Sequence, residues 1–247
     1  MPRPDEAGLF ERAAFERAAH HLADLPPPQC FEIAFAGRSN SGKSSAINAL
    51  ARRRKLAFTS KTPGRTREIV MFRLPGDAYL VDLPGYGYAR VPDAMRDHWD
   101  QTLGEYLRTR PSLRGLALIM DARHPLTDLD RRMLDWFSPT GKPVHVLLTK
   151  SDKLGRAEAA RTLAAVRRAL DHWGAQCTAQ LFSSVARTGV DEAERLFAGW
   201  LGVEIRARAG GTAPDAAEKK GPDGNRATRA GIKRPRAKGE KPGAKMP

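Results

Sequence analysis

The stretch GRSNSGKSS, residues 37–45, constrains the fold of this chain more than any other segment. It contains G-x-x-x-x-G-K-S, follows the apolar run FEIAFA and opens a helical pattern. The two glycines permit backbone conformations that turn successive N–H groups inward, and that nest and the helix N-terminus bind phosphate. The alternative is a glycine turn that carries Lys-Ser by coincidence, which the four fixed positions in this context disfavour. The predicted phosphate loop consists of Gly37, Arg38, Ser39, Asn40, Ser41, Gly42, Lys43 and Ser44.

Short β-rich runs alternate with helical patterns between residues 29 and 206. The predicted strands are Phe31–Ala36, Ile69–Leu74, Ala78–Asp82, Gly115–Asp121, Val144–Thr149 and Thr178–Ser183. The predicted helices are Lys43–Arg52, Asp93–Arg108, Leu129–Phe137, Ala157–His172 and Val190–Leu201. This alternation predicts a three-layer α/β/α domain with a mostly parallel six-stranded sheet. Right-handed crossovers then bring the carboxyl ends of the strands to one edge, where ligands bind.

The two ends of the chain differ from this central domain. In residues 1–28, apolar positions fit one face of a short amphipathic helix that the prolines at 26–28 end; they are Phe10, Ala13, Ala14, Phe15, Ala18 and Leu22. Residues 207–247 are rich in Gly, Pro, Ala, Lys and Arg and nearly free of large apolar side chains, so we predict a disordered basic tail.

The charge of the chain suggests a polyanionic partner. The net charge is +14, and residues 209–247, with ten basic and four acidic side chains, contribute +6 of it. Cys30 and Cys177 lie far apart, which argues against a disulfide framework or a thiolate metal site and favours two core residues. The sequence has no apolar run of membrane-spanning length and no apolar signal core, so we expect a cytoplasmic protein without a membrane partner.

Two motifs at predicted strand ends point to a guanine nucleotide and magnesium. In DLPG, Asp82 can hold Mg²⁺ through water and the N–H of Gly85 can contact a γ-phosphate. In TKSD, the carboxylate of Asp152 can accept two hydrogen bonds from guanine, a donor pair that adenine lacks. The stem of Lys150 would lie along the base. The alternative for DLPG is a Pro-Gly turn, and the alternative for TKSD is a solvated charged loop. Each motif is weak evidence in isolation.

Two further segments complete the predicted site. FSSV, residues 182–185, closes the last predicted strand and can bring its backbone to guanine O6, although Ser-Ser is more often a helix cap. SKTPGRTRE, residues 60–68, is polar and basic, and a threonine there can complete the Mg²⁺ shell when the γ-phosphate is present. On composition alone, either Thr62 or Thr66 can be the threonine that completes the Mg²⁺ shell.

GRSNSGKSS, SKTPGRT, DLPGYGYA, DARHPLTDLD and TKSDKL together resemble the EngB (YihA/YsxC) family of bacterial ribosome-biogenesis GTPases, from about Phe31 to Phe197. The resemblance implies a Ras-like P-loop GTPase with Mg²⁺ held by Ser44 and Thr66. Lys43, Thr66 and Gly85 would act in catalysis. Beyond the phosphate loop, it implies nucleotide contacts from Gly64, Arg65, Thr66, Arg67, Glu68, Asp82, Leu83, Pro84, Gly85, Thr149, Lys150, Ser151, Asp152, Phe182, Ser183 and Ser184. It also implies a role in maturation of the large (50S) ribosomal subunit, with a link to cell division and septation.

Two residues bear on the rate of hydrolysis. Tyr86 stands where Ras-like proteins carry the glutamine that orients the attacking water, so we expect slow intrinsic turnover. Asn40 occupies the position that holds K⁺ in some GTPases without that glutamine, and we hypothesise a K⁺ requirement. An asparagine that only shapes the turn is the alternative.

The expected partner is the large ribosomal subunit or its precursor, and we expect this protein to bind it as a monomer. Basic side chains that can contact rRNA are Arg52, Arg53, Arg54, Lys55, Lys61, Arg65 and Arg67. They can equally form a solvated face, and the tail can be an RNA tether or a solubility tail. An alternative function is an RNA-binding assembly factor in which nucleotide is mainly structural. TKSD argues against a P-loop ATPase.

Overall fold

A computed structural model describes residues 8–57, 68–86 and 102–203 of the chain. In these residues one mixed sheet has the strand order β1-β3-β4-β2-β5-β6-β7. The strands are β1 (Ala14–Ala19), β2 (Phe31–Gly37), β3 (Ile69–Leu74), β4 (Ala78–Asp82), β5 (Leu113–Asp121), β6 (Val144–Thr149) and β7 (Cys177–Leu181). The helices are α1 (Lys43–Leu50), α2 (residues 102–109), α3 (Asp128–Phe137), α4 (Arg156–Leu170) and α5 (Val190–Trp200).

Strand β2 lies at the centre of the seven-stranded sheet and belongs to a parallel block with β4, β5, β6 and β7. Strands of such a block are covered on both faces, which explains the apolar run at residues 33–36 of β2. Its side chains alternate, with Ile33 and Phe35 in one core and Ala34 and Ala36 in the other. The carboxyl ends of β2, β4, β5 and β6 therefore meet at one edge, as the sequence predicted.

Helices cover both faces of the sheet. Ile47 of α1 and Phe197 of α5 pack in the core on one face. Tyr106 of α2, Phe137 of α3 and Val166 of α4 pack in the core on the other. The predicted three-layer α/β/α domain with a mostly parallel sheet is confirmed.

The N-terminal segment is a strand, and the predicted amphipathic helix is wrong. β1 pairs antiparallel with β3, with Ala14 opposite Arg73 and Ala19 opposite Ile69. The sheet therefore has seven strands instead of six within the described residues. Phe15, which a helical face would have buried, is 60% exposed. The helical spacing of apolar residues did not outweigh the backbone hydrogen bonds that β3 offers to a neighbouring strand.

The remaining element bounds agree closely with the prediction. β3, β4 and β6 match it residue for residue, and the other strands and helices in the described residues differ by one to a few positions. The N-terminal half of the predicted helix Asp93–Arg108, and residues 60–67 and 207–247, lie outside the described residues. No helix in the described part of the chain is both long and apolar enough to cross a bilayer.

A buried carboxylate attaches α2 to the central strand. Glu32 of β2 is fully buried and accepts hydrogen bonds from Tyr106 at 2.7 Å and from Arg110 Nη2 at 2.6 Å. Burial, together with the neighbouring Glu32, raises the pKa of Tyr106 well above its usual value, so the phenol remains a donor. The charge of Arg110 is thereby neutralised within the fold.

His145 lies buried in β6 between two strand neighbours. Its Nδ1 is 2.7 Å from Thr178 Oγ1 and its Nε2 is 2.9 Å from Gln180 Oε1. Burial lowers the pKa of His145 from 6.5 to about 4, although the hydrogen bond with Gln180 partly opposes that effect. The folded protein therefore keeps this imidazole neutral where an unfolded chain would protonate it.

We expect the stability of the fold to decrease as the pH falls from about 6.5 to about 4, because only the unfolded chain binds the proton at His145 in that window. The loss should be roughly 2–3 kcal/mol at pH 4.5 relative to pH 7.5. Urea unfolding of His145→Gln at both pH values should show a smaller difference than the wild type. His172→Gln, at an exposed position, is the control. Equal pH dependence in wild type and His145→Gln would contradict the assignment.

Candidate functional site

The phosphate loop joins β2 to α1 and leaves no space for side chains at its glycines. A Cβ on Gly37 would lie 2.7 Å from the carbonyl oxygen of Ile119 in β5. Gly42 has a φ of +102° and is the N-cap of α1. Between them Ser41 N donates to Arg38 O at 3.0 Å. The loop is therefore pressed against β5 and turns into the helix with its first N–H groups free of intrahelical partners.

Lys43 and Ser44 form the first turn of α1 beside the end of β4. The ammonium group of Lys43 donates a hydrogen bond to Asp82 Oδ1, and both side chains are buried. Leu83 N donates to Phe35 O at 3.0 Å, which fixes the end of β4 against β2. The structure thus brings together the loop lysine and the strand-end aspartate that the sequence singled out, and Ser44 follows that lysine in the first turn of α1.

Gly85 is held next to the loop by its neighbour Tyr86. Tyr86 N donates to Gly37 O at 3.3 Å, and Ser39 N donates to Tyr86 O at 3.2 Å. These bonds form an isolated parallel bridge between Arg38 and Tyr86. DLPG and the phosphate loop therefore run side by side at the carboxyl edge.

The phenol of Tyr86 is bound inside the protein. Its hydroxyl donates to Asp130 Oδ1 of α3 at 2.9 Å, and the other carboxylate oxygen accepts from Thr127 N and Thr127 Oγ1 at 3.0 and 2.8 Å. Burial, followed by the charge and hydrogen bond of Asp130, raises the pKa of Tyr86 well above its usual value. This hydroxyl is a neutral structural donor that connects the DLPG segment to α3.

TKSD contacts the phosphate loop through two side chains. The hydroxyl of Thr149 donates to Ser41 O and also lies 3.0 Å from Met120 O. Lys150, with a φ of 57°, donates from Nζ to Asn40 O at 2.7 Å. The segment proposed to read the base is therefore attached to the backbone that is proposed to bind phosphate.

Asp121 is a site residue that sequence reasoning treated only as a family mark. It ends β5 opposite Thr149, and its carboxylate accepts from Lys150 Nζ at 2.9 Å and from Arg123 Nη2 at 2.6 Å. Burial raises its pKa, but the hydrogen bonds from Arg123 and Lys150 outweigh burial and leave the pKa below its usual value. The sequence feature that could have identified Asp121 as a site residue is a charged side chain at the end of an apolar predicted strand.

Two side-chain hydrogen bonds join the FSSV segment to TKSD. Ser183 Oγ donates to Asp152 Oδ1 at 2.6 Å and accepts from Ala186 N at 2.9 Å. The hydrogen bond from Ser183 lowers the pKa of Asp152 below its usual value. Ser151 donates to Phe182 O from both its N and its Oγ, at 3.2 and 3.0 Å. Asp152 is thus an ionised, oriented acceptor at the edge of the site.

The donor set at this edge fits Mg²⁺. Ser44 and Asp82 offer a hydroxyl and a carboxylate oxygen, the hard ligands that Mg²⁺ prefers, and Mg²⁺ usually takes its other ligands from water and phosphate. The described residues contain no group of three or more His, Cys, Asp or Glu side chains that could hold a metal. Ser41 Oγ is buried and has no hydrogen-bond partner within residues 8–57, 68–86 and 102–203, so a polar donor or acceptor remains for a ligand.

The segment before β3 is described only at its end. Glu68 lies 3.0 Å from His20 Nε2 and forms an ion pair with it when the imidazole is protonated. Thr62, Gly64, Arg65, Thr66 and Arg67 lie outside the described residues.

The fold recurs in solved structures. A probable GTP-binding protein EngB has a TM-score of 0.56 at 18% identity, covering 69% of this chain and 98% of that one. Aquifex aeolicus Era bound to GDP.AlF4- has a TM-score of 0.57 at 21% identity, covering 69% of this chain and 56% of that one. At these identities the likeness shows the fold alone. A family model described as 50S ribosome-binding GTPase matches residues 32–150. The chain is a P-loop GTPase.

Curated relatives identify the family. A probable GTP-binding protein EngB of Methylobacillus flagellatus is 58% identical over 194 residues, covering 78% of this chain and 93% of the relative. The EngB protein of Azoarcus sp. is 59% identical over 210 residues, covering 85% and 99%. The chain belongs to the EngB family of GTP-binding proteins, which confirms the resemblance seen in its motifs, and GTP hydrolysis follows from that membership.

We expect Tyr86→Phe to leave GTP turnover within about twofold of wild type while it lowers stability by about 1–3 kcal/mol, because the buried carboxylate of Asp130 loses a donor. Thr127→Val, which removes a different donor to the same carboxylate, should destabilise similarly and serves as the control. Single-turnover hydrolysis and urea unfolding make the two measurements. A tenfold loss of turnover in Tyr86→Phe alone would show that the phenol acts on the reaction.

Proposed function

We propose that this edge of the sheet binds GTP or GDP with Mg²⁺ and that the protein is a slow GTPase switch in assembly of the large ribosomal subunit. One observation carries the proposal: Lys150 Nζ lies 2.7 Å from the carbonyl oxygen of Asn40. This bond joins the motif suited to guanine to the loop suited to phosphate. A single ligand that has a base at one end and phosphates at the other fits that arrangement.

At the phosphate end, backbone N–H groups of Gly37–Ser44 would bind the β-phosphate, and Lys43 would bridge β and γ oxygens. Ser44 and Thr66 would coordinate Mg²⁺, with Asp82 acting through water. Bound Mg²⁺ would withdraw negative charge from the phosphate oxygens. Gly85 N–H would contact the γ-phosphate and respond to its loss. The other proposed contacts are Gly64, Arg65, Arg67, Glu68, Leu83 and Pro84.

At the base end, Asp152 would accept from guanine N1–H and N2–H₂, and Ser183 orients its carboxylate for that role. The stem of Lys150 would lie along the base. The other proposed contacts at this end are Thr149, Ser151, Phe182 and Ser184. Adenine offers no matching donor pair, so selectivity for guanine depends on one carboxylate.

We expect Asp152→Asn to weaken GTP binding by at least tenfold and to favour xanthosine nucleotides, because an amide places a donor where guanine also has donors. Calorimetry with GDP, XDP and ADP measures the change. Asp128→Asn, at an exposed position on α3, controls for loss of one negative charge. Unchanged GDP affinity in Asp152→Asn would contradict the base assignment.

Slow intrinsic hydrolysis is part of the proposal. The hydroxyl of Tyr86 is engaged with Asp130 and therefore cannot replace the water-orienting glutamine of Ras-like proteins. Because the chain lacks a water-orienting glutamine after Gly85, we propose that a partner accelerates hydrolysis.

We also propose that K⁺ supplies positive charge beside the phosphates, held in part by Asn40. The alternative, in which Asn40 only shapes the turn, has support in its φ of 62° and in the hydrogen bond that its carbonyl oxygen accepts from Lys150. Turnover should be several-fold faster in KCl than in NaCl. Equal rates at matched ionic strength would favour the turn-shaping role.

The proposed partner is the large ribosomal subunit or its precursor. We propose that the protein binds it as a monomer in the cytoplasm, and that it shares the family's link to cell division and septation. The description of the matching family and the net charge of +14 support an rRNA contact. Of the four basic residues after α1, Arg52 pairs with Glu11 and Asp191, and Arg53 donates to Ala13 O. Arg54 and Lys55 are exposed and stay candidates.

Sedimentation with large-subunit precursors tests the switch. We expect more protein to sediment with a non-hydrolysable GTP analogue than with GDP. Lys43→Ala, which removes the proposed phosphate contact, should lose this difference. Nucleotide-independent sedimentation of the wild type, with Lys43→Ala still supporting ribosome maturation, would instead favour an assembly factor in which nucleotide is mainly structural.

A further inference from the structure

Three neighbouring parallel strands begin at the edge of the sheet opposite the nucleotide site. Phe31 is the first residue of β2, Arg114 is the second residue of β5, and Lys142 lies two residues before β6. Because β2, β5 and β6 are adjacent and parallel, these residues lie along the same edge. We call them the amino-edge patch.

The members of the amino-edge patch contact or influence one another. The guanidinium carbon of Arg114 lies 4.3 Å from the ring centroid of Phe31, and that phenylalanine is 37% exposed. Lys142 Nζ donates to Arg110 O at 3.4 Å. Leu116 pairs with Val144, so Arg114 and Lys142, each two residues earlier, lie on neighbouring segments of the chain. Burial and then the charge of Arg114 lower the pKa of Lys142.

The amino-edge patch has two cations and no counterion of its own. In the part of the chain that the structure describes, neither Arg114 nor Lys142 forms an ion pair with a carboxylate. Two nearby acidic groups are already engaged: Glu32 with Arg110, and Asp77 with Arg73 at 3.0 Å. Like charges close together repel, and an anion bound between them would remove that repulsion.

We propose that the amino-edge patch binds the backbone and bases of ribosomal RNA, with Arg114 and Lys142 on phosphate oxygens and the Phe31–Arg114 pair as a stacking surface. The inference rests on the proposed function, since it assigns a surface to the RNA partner. A guanidinium layered on an exposed ring presents both a flat face for a nucleobase and N–H donors for phosphate. An acidic protein surface could pair with the two cations, but it would have no nucleobase to stack on the Phe31–Arg114 pair.

The position of the amino-edge patch gives it a role distinct from that of the switch. Arg114 and Asp121 are seven residues apart along β5, which at about 3.3 Å per residue separates the patch from the nucleotide site by roughly 20 Å. Strand β5, in which every residue except Arg114 is buried, connects the two ends. RNA contact at the amino-edge patch therefore does not depend on the γ-phosphate and anchors the protein in both nucleotide states.

The test compares two double variants of the full chain. Arg114→Gln with Lys142→Gln removes the patch cations, and Arg161→Gln with Arg168→Gln removes two exposed arginines of α4 as the control. Binding to protein-free large-subunit rRNA is measured over a salt series with GDP and with the GTP analogue. In the patch variant, the association constant for rRNA should fall less steeply with salt. The negative slope of its logarithm against log salt concentration should be smaller in magnitude by about 1–2, equally with both nucleotides. Phe31→Leu should weaken binding about threefold.

Calorimetry should give the same GDP affinity for both double variants as for wild type. Equal losses in the patch and control variants, or no loss in the patch variant, would overturn the inference while leaving the proposed function standing. If the patch variant binds protein-free rRNA normally but loses affinity for the assembled subunit, the partner at this surface is a ribosomal protein and the RNA assignment is wrong. A wild type that binds neither rRNA nor the subunit would refute the proposed function itself.

Discussion

The hydrogen bonds from Thr149 and Lys150 to the phosphate loop are the interaction on which the site depends. Thr149 donates to Ser41 O and Lys150 to Asn40 O, so the end of β6 fixes two consecutive carbonyl groups of the loop. Because a trans peptide directs its N–H opposite to its C=O, the Gly42 N–H, which shares a peptide bond with the Ser41 carbonyl, is directed away from β6 to the side of the loop where an anion would bind. The carboxylate of Asp121 holds the same lysine and thereby connects β5 to this arrangement.

Much of this site could be predicted because its parts are local in sequence. Gly42, Lys43 and Ser44 follow from the chemistry of a strand, a turn and a helix N-terminus, and β3, β4 and β6 from apolar runs of strand length. The family resemblance added the order of the motifs along the chain. Local pattern and tertiary structure agree in these segments, so reading the pattern was sufficient.

Other features depend on contacts between distant residues and could not be predicted from local pattern. The segment Ala14–Ala19 has spacing that suits a helix, yet it pairs with β3, which follows after the whole of β2 and α1. The partner of Tyr86 lies on α3, 44 residues along the chain, and the sequence shows only an unusual residue after DLPG. Arg52 and Arg53 read as part of a basic surface, but the fold uses them to attach the N-terminal segment and α5 to α1.

The pairing of β1 with β3 has a consequence for how the protein is made. Ala14 leaves the ribosome long before Arg73, its partner in the sheet, has been synthesised. The first strand to emerge must therefore remain unpaired until β2 and β3 have both been synthesised, and closing so long a loop is slow compared with forming a helix. Until then β3 would be an open strand edge, and an N-terminal fusion or truncation that hinders the arrival of β1 would leave it prone to aggregation.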